Sequence, residues 1–219
     1  MSCWSLTAVK SRDSGKTRLA GGLTPAERGR LVDTMLGHVL SALGKAPDVD
    51  RVAVVSPDGP SDYGLPEEVV RFTDPGGGLN RALAHAAQRA AGRGATRLVI
   101  VHADLPRVQP EEITALIEGA KASGLAVAPD HHGTGTNALC LPLPLPFELA
   151  FGPGSLARHL ERGKAAGLEP AVIRLPGLAF DLDELEDLES NEDTERLEHL
   201  EPAALLPAAQ EATVAGHGL

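Results

Sequence analysis

The stretch RLVIVHADLP, residues 97–106, is the clearest strand signal in the sequence, and Asp104 follows that strand directly. A short, continuous apolar run is typical of a strand that is buried on both faces. Similar runs alternate with helical patterns along the chain, which predicts an α/β fold with a mostly parallel central sheet and helices on both faces. The predicted strands lie at residues 4–9, 51–56 and 68–72. Helices are predicted at residues 25–43, from after Asn80 to about residue 91, and from Pro110 onward.

The second half of the chain carries weaker signals. Strands are predicted at residues 125–128, 137–143 and 171–175, and helices at residues 155–166 and after residue 183. Prolines at positions 142, 144 and 146 predict that the strand at 137–143 is an edge strand or a bent one. We therefore expect a single domain over residues 1–200, followed by a tail, residues 201–219, without a clear fold signal.

Composition excludes several classes of function. The 219 residues include 20 Lys and Arg against 30 Asp and Glu, a formal charge of −10, which argues against nonspecific binding to nucleic acid or to anionic membranes. No apolar run reaches the roughly 18 residues of a membrane span, and the start lacks the pattern of a signal peptide. We expect a cytoplasmic protein whose two cysteines, Cys3 and Cys140, serve packing.

A basic loop follows the first predicted strand. Lys10, Arg12, Lys16 and Arg18 place four cations near Gly15, whose backbone permits close approach of an anion. The spacing is not that of a Walker sequence. The loop therefore fits a polyphosphate, and the alternative is an ordinary solvated surface segment.

Three carboxylates could hold a metal. Asp104 follows the strongest strand, and ligands of open α/β sheets collect at the carboxyl ends of strands. Asp181 and Asp183 follow a short apolar segment, and alternation in an extended segment would point both to one face. These oxygens suit Mg²⁺, which takes few protein ligands and shares its shell with phosphates. The alternative is that Asp104 caps a loop and that Asp181 and Asp183 cap a helix.

Two loops rich in small residues, at 133–137 and 151–155, are candidates for anion binding, and the second opens a helix. Either could instead be an ordinary turn. His131, His132 and His159 do not predict a zinc site, because histidines beside glycines are more often surface or hydrogen-bonding residues.

Taken in order, these elements resemble the 2-phospho-L-lactate guanylyltransferase family of deazaflavin coenzyme F-420 biosynthesis, over about residues 5–190. The resemblance implies a nucleotidyltransferase fold of the type shared with molybdopterin-guanine dinucleotide synthases. One departure is Ala8, where the family usually has proline. The matching segments are the loop 10–20, LTP at 23–25, GLN at 78–80, ADLP at 103–106, GTNAL at 135–139, FGPGS at 151–155 with His159, and DLD at 181–183.

The resemblance also implies roles for individual residues. Lys16, Arg18 and Asp104 would be catalytic. Nucleotide binding would fall to Lys10, Gly15, Lys16, Leu79 and Asn80. Substrate binding would fall to Thr136, Gly152 and Ser155, and Mg²⁺ would be held by Asp104, Asp181 and Asp183.

The implied reaction joins GMP from GTP to a small phosphorylated acid and releases pyrophosphate. The acid could be 2-phospho-L-lactate, phosphoenolpyruvate or 3-phospho-D-glycerate, and the sequence leaves this choice open, as it does the oligomeric state. A further implied partner is the next enzyme of the pathway, to which an unstable product would be handed over. The alternatives are a molybdopterin or sugar-phosphate nucleotidyltransferase and a catalytically silent nucleotide-binding module.

Overall fold

A computed structural model describes residues 1–9, 21–57 and 64–182 of the chain. The described residues form seven strands and five helices. The strands are β1 (Cys3–Ala8), β2 (Arg51–Ser56), β3 (Val70–Thr73), β4 (Arg97–Val101), β5 (Ala126–Pro129), β6 (Thr136–Pro142) and β7 (Ala171–Val172). The helices are α1 (Pro25–Lys45), α2 (Leu79–Ala91), α3 (Pro110–Ser123), α4 (Ser155–Ala165) and α5 (Pro176–Ala179).

The described strands lie side by side in one sheet, in the order β3-β2-β1-β4-β6-β5-β7. The pairs β1 with β2, β1 with β4, β2 with β3, and β5 with β7 are parallel. Strand β6 runs antiparallel to both of its neighbours, β4 and β5. The prediction of a mostly parallel sheet is therefore confirmed.

The position of β6 corrects one prediction. The prolines at 142, 144 and 146 indicated an edge or bent strand, but β6 lies inside the sheet between β4 and β5. Pro142 is the last residue of the strand, opposite Arg97 at the start of β4, and the other two prolines follow it. Because they lie at or beyond the strand end, these prolines remove no hydrogen bond from the middle of the ladder.

Helices cover both faces of the sheet, as predicted. Val39 of α1 and Ile117 of α3 are buried against one face, while Leu83 of α2 and Leu156 of α4 are buried against the other. Both cysteines pack in the first of these cores. Burial raises the pKa of Cys3 to about 11 and that of Cys140 to about 12, so both stay as thiols and serve packing.

The start of α1 is fixed by local chemistry. The Thr24 hydroxyl accepts a hydrogen bond from the Glu27 backbone N–H at 3.3 Å, and the Glu27 carboxylate accepts one from the Thr24 backbone N–H at 2.7 Å. This reciprocal cap, with Pro25 in the first turn, satisfies donors that an open helix end would leave unpaired.

The tail at 201–219 lies outside the described residues. No helix in the described part of the chain is both long and apolar enough to cross a bilayer.

Candidate functional site

The end of β4 meets the start of β6 at the side of the sheet that faces Asp104, which follows β4 in the chain. Because β6 runs antiparallel to β4, its first residues lie beside the last residues of β4. The His102 backbone N–H donates to the Asn137 carbonyl at 3.0 Å and extends this pairing beyond Val101. Asp104 thus leaves the sheet beside the start of β6.

A third segment joins this edge from far along the chain. The Leu182 backbone N–H donates to the Asp104 carbonyl oxygen at 3.1 Å. The Asn137 side-chain amide donates to Asp181 Oδ1 at 3.1 Å and to the Ala179 carbonyl at 3.2 Å. Two of the three predicted metal carboxylates, those of Asp104 and Asp181, therefore lie on neighbouring segments.

Asn137 had no role in the sequence analysis, although it stands in a loop selected there. Its side chain connects β6 to the segment that carries Asp181. Its sequence did contain a signal for this role. Asn137 is a polar amide near the start of a largely apolar strand, and a buried amide needs hydrogen-bond partners. Asn137 is 3% exposed.

The donors at this edge suit a hard cation. The side chains of Asp104 and Asp181 offer carboxylate oxygens, and Mg²⁺ is commonly bound through one or two carboxylates with the rest of its shell from water and phosphate. Asp181 Oδ1 also lies 3.4 Å from His131 Nδ1. Within residues 1–9, 21–57 and 64–182, no three His, Cys, Asp or Glu side chains form a metal-binding group. Asp183 lies outside those residues, so the three-aspartate magnesium site stays a prediction.

Glu112 anchors the segment that brings Asp181 to this edge. One oxygen of its buried carboxylate accepts from the Gly177 backbone N–H at 2.8 Å, and the other accepts from the Gln109 backbone N–H at 3.0 Å. The first bond fixes α5 against the start of α3. The Arg107 guanidinium lies 3.8 Å from the centre of the ring of Phe180, the residue that follows α5, and forms a cation–π contact with it.

The loop before β6 is shaped by Asp130. Its two carboxylate oxygens accept hydrogen bonds from the backbone N–H groups of Thr134 and Gly135, both at 2.9 Å. A Cβ at Gly135 would lie 2.5 Å from Asp130 Oδ2, so a larger residue does not fit without a shift. This arrangement delivers Thr136 to the first position of β6.

Thr136 contacts a buried histidine. Its hydroxyl oxygen lies 3.1 Å from His159 Nδ1, and the Ala150 backbone N–H donates to His159 Nε2 at 3.0 Å. His159 is 0% exposed and Thr136 is 2% exposed. One imidazole of α4 therefore connects β6 with the loop that precedes α4.

The loop before α4 is held from two sides. Arg158 donates to the carbonyls of Pro153 and Ala150, at 2.5 Å and 2.9 Å. From α2, the Asn80 amide donates to the Phe151 carbonyl at 3.0 Å and accepts from the Phe151 backbone N–H at 2.7 Å. The loop is thereby fixed between α2, which carries the predicted nucleotide residues Leu79 and Asn80, and α4, which follows the loop in the chain.

Ser155 begins α4 and is 1% exposed. The Ser155 backbone N–H donates to the Gly152 carbonyl at 3.0 Å, and the Leu156 N–H donates to the Thr134 carbonyl at 3.1 Å. These two N–H groups are used within the protein, which limits what the helix start can offer an anion. The second bond joins the two small-residue loops, so the structure brings Thr136, Gly152 and Ser155 into one region. Their contact with a substrate stays a prediction.

The predicted nucleotide residues are only partly described. Leu79 begins α2 after Gly78, and the Asn80 side chain next to it is engaged by Phe151, which gives Asn80 a structural role beside the predicted one. The other predicted residues of the phosphate loop, together with Asp183, lie outside the described residues. They are Lys10, Gly15, Lys16 and Arg18.

His159 is neutral in the folded protein. Burial, followed by the charges of Arg158 and Arg162, lowers the pKa of His159 from 6.5 to about 4. A neutral imidazole at this position can donate through one nitrogen and accept through the other.

This shift predicts a pH-dependent stability. Between pH 6.5 and about pH 4, the unfolded chain binds a proton at His159 that the folded chain does not. The free energy of unfolding should therefore keep its full value above pH 6.5 and decrease as the pH is lowered towards 4, by on the order of 3 kcal/mol. Urea unfolding over this range would show a steeper dependence for the wild type than for His159→Gln, and equal slopes would contradict the prediction.

Comparison with known sequences gives a family. The profile of guanylyl transferases that are CofC-like matches residues 4–195. A phosphoenolpyruvate guanylyltransferase from Sphaerobacter thermophilus is 42% identical over 189 residues, which cover 86% of this chain and 91% of that protein. One from Conexibacter woesei is 34% identical over 193 residues, covering 86% of each.

Comparison with solved structures finds proteins of similar fold. A Desulfovibrio desulfuricans protein assigned as a nucleotide-diphospho-sugar transferase superposes with a TM-score of 0.71 at 19% identity, and the match covers 86% of this chain and 85% of that one. At that identity the likeness concerns the fold alone. The predicted nucleotidyltransferase type of α/β fold is confirmed.

Proposed function

The chain belongs to the CofC-like guanylyl transferase family, and from this premise we propose that it transfers GMP from GTP to phosphoenolpyruvate or a closely similar phosphorylated acid. Pyrophosphate is the second product. The family and the relatives support an enzyme of this class. GTP as donor and a place in deazaflavin coenzyme F-420 biosynthesis belong to the proposal.

One structural observation carries the proposal. The Leu182 N–H on the Asp104 carbonyl and the Asn137 amide on Asp181 hold two carboxylate-bearing segments at the carboxyl end of β4. In open α/β sheets this edge is where ligands bind. A polyphosphate bound there would meet both the carboxylates and the loop that follows β1.

The reaction forms one bond and breaks one bond. A phosphate oxygen of the acid attacks the α-phosphorus of GTP, and the bond from that phosphorus to the bridging oxygen breaks as pyrophosphate leaves. The nucleophile is already ionised at neutral pH, so no general base is assigned. The main obstacle is repulsion between anions, which Lys10, Lys16 and Arg18 would reduce by charge neutralisation and positioning. When bound by Asp104, Asp181 and Asp183, Mg²⁺ would supply further neutralisation of the phosphate charge.

The acceptor would bind in the region of Thr136, Gly152 and Ser155. Phosphoenolpyruvate is proposed first because it appears in the names of both relatives described above. 2-Phospho-L-lactate and 3-phospho-D-glycerate carry the same pair of anionic groups. A single small group distinguishes such acids by about 1–3 kcal/mol in an apolar pocket, so direct comparison is needed.

Release of pyrophosphate tests the function. The purified protein would be incubated with magnesium, GTP and each of the three acids. CTP and ATP would serve as alternative nucleotides, a sugar phosphate as an alternative acceptor, and omission of the acceptor as the control. We expect release with GTP and phosphoenolpyruvate that depends on both. Release with another nucleotide and a sugar phosphate would indicate a different nucleotidyltransferase, and no release with any pair would favour a silent nucleotide-binding module.

The basic loop provides a prediction about the nucleotide. Lys16→Ala and Arg18→Ala should each raise the apparent KM for GTP about tenfold or more, because a hydrogen bond to a charged group contributes about 1.5–3 kcal/mol. Initial rates at varied GTP and fixed acid would measure this. Arg89→Ala, at an exposed position in the last turn of α2, is the matched control and should leave the KM unchanged. Unchanged kinetics in both loop variants would make the loop a charged surface segment.

The predicted cytoplasmic location and the hand-over of the product to the next enzyme remain part of this proposal. The formal charge of −10 agrees with an enzyme that does not bind nucleic acid or anionic membranes nonspecifically.

A further inference from the structure

We propose that His159 is a positioning residue of the acceptor site, which holds the Thr136 hydroxyl as a hydrogen-bond donor towards an oxyanion of the phosphorylated acid. The ligand named here rests on the proposed function. The orientation of the hydroxyl rests on the contacts of His159 alone.

The direction of each hydrogen bond follows from the donors present. The Ala150 backbone N–H can only donate, so His159 Nε2, 3.0 Å away, must accept with its lone pair. A neutral imidazole carries one proton, which must then lie on Nδ1. His159 Nδ1 therefore donates to Thr136 Oγ1, 3.1 Å away.

Burial keeps this arrangement in place. His159 is 0% exposed, so water does not compete for either nitrogen. Its ring packs edge-on against Phe151, with ring centroids 4.8 Å apart, and the ring of His102 lies 5.2 Å from the same Phe151 ring. A second proton would put two donors, Nε2–H and Ala150 N–H, against each other. The lowered pKa of His159 agrees with a ring that stays neutral.

The orientation has a consequence for the ligand. Phosphate and carboxylate oxygens only accept hydrogen bonds, so they need donors. A Thr136 hydroxyl that already accepts from His159 keeps its own proton for another acceptor. If His159 instead carried its proton on Nε2, Thr136 would donate to the ring and would present only lone pairs to an oxyanion. The tautomer thus determines whether the residue attracts the acid.

Thr136 is also placed where an acid would be needed. It begins β6 directly before Asn137, whose amide reaches Asp181. The donor and the carboxylate-bearing segments therefore share one edge of the sheet. His159 connects that edge to Ala150, and so to the loop before α4.

The tautomer can be measured directly. Nitrogen-15 NMR of histidine-labelled full-length protein at neutral pH should show one histidine with its proton on Nδ1, slow to exchange, and this signal should be absent from His159→Gln. A signal from His159 with the proton on Nε2, or with both nitrogens protonated, would overturn the proposal.

Kinetics with matched variants test the role of the hydroxyl. Thr136→Val keeps the shape of the side chain and should raise the apparent KM for phosphoenolpyruvate about tenfold, with the KM for GTP unchanged. Thr136→Ser should stay close to the wild type. His85→Gln, at a half-buried histidine of α2, is the control and should change neither constant.

Two substitutions of His159 separate its two hydrogen bonds. Asparagine places an N–H near the position of Nδ1 and should keep the KM for the acid, while glutamine places an acceptor near the position of Nε2 and should raise it at least about threefold. The double variant Thr136→Val with His159→Gln should be no worse than Thr136→Val alone, since both changes remove one interaction. Additive effects, or equal effects of asparagine and glutamine, would mean that His159 only supports the fold.

Failure of the proposed function would be distinguishable. If the wild type releases no pyrophosphate with any acid, the reaction is wrong, and calorimetric titration with phosphoenolpyruvate replaces the KM values. Weaker binding by Thr136→Val would then still support the oriented donor. Unchanged binding, or no binding by the wild type, would overturn it.

Discussion

Asp104→Asn should reduce turnover by at least about a hundredfold while the protein stays folded, which corresponds to about 2.7 kcal/mol of transition-state stabilisation. The amide keeps the shape of the side chain and removes the negative charge that Mg²⁺ requires. The backbone carbonyl of Asp104, which accepts from the Leu182 N–H, is untouched by the change. Turnover at saturating GTP and acid, with circular dichroism on the same preparation, would measure both effects.

Asp48→Asn is the matched control for this variant. Asp48 lies away from the predicted site and forms a surface ion pair with Lys121 at 2.7 Å. Such pairs contribute about 0–1 kcal/mol, so the control should keep full activity and nearly full stability. Binding of Mn²⁺ in the presence of GTP should weaken in Asp104→Asn and not in Asp48→Asn. Near wild-type turnover of Asp104→Asn in saturating magnesium would exclude the metal role.

The order of strands and helices along the chain could be predicted because a buried strand is a continuous apolar run in the local sequence. RVAVVS at 51–56 is β2 itself, and RLVIV at 97–101 is β4. The local sequence does not indicate which other strands a strand pairs with in the sheet. β6 reaches the interior of the sheet through its pairing with β4, nearly forty residues earlier in the chain, and its prolines gave the opposite indication because their effect depends on which residues of the strand are paired.

The residues of the candidate site could also be predicted only in part. The position of Asp104 at the carboxyl end of β4 could be predicted, because a residue shortly after such a strand lies where ligands bind in open α/β sheets, and its metal role stays a prediction. The residues that hold the site together could not, because their partners are distant: Asn137 bonds Asp181 44 positions away, and Glu112 bonds Gly177 65 positions away. The sequence left His159 as either a surface or a hydrogen-bonding histidine, and its partner Thr136, 23 positions away, could not be named from it.

Gly177→Ala should lower the free energy of unfolding by roughly 2 kcal/mol or more and also reduce turnover. An added Cβ would overlap Glu112 Oε2 and the Arg107 carbonyl oxygen, and would lie 2.9 Å from the Arg107 carbonyl carbon. Backbone atoms cannot move aside as a flexible side chain does. The same displacement would break the hydrogen bond from the Gly177 N–H to the Glu112 carboxylate, which joins α5 to α3.

Gly29→Ala provides the comparison that isolates this cause. Gly29 lies in α1 with nothing within 4 Å of an added Cβ, so alanine should be neutral there or stabilise by about 0.5–1 kcal/mol. Urea unfolding and turnover of both variants would be measured together. Because α5 leads through Phe180 to Asp181, displacement of Gly177 should separate the Asp181 segment from Asp104, and turnover should fall further than the loss of stability explains. If Gly177→Ala matched Gly29→Ala in both measurements, the contact between α5 and α3 would not be what positions the acidic segment.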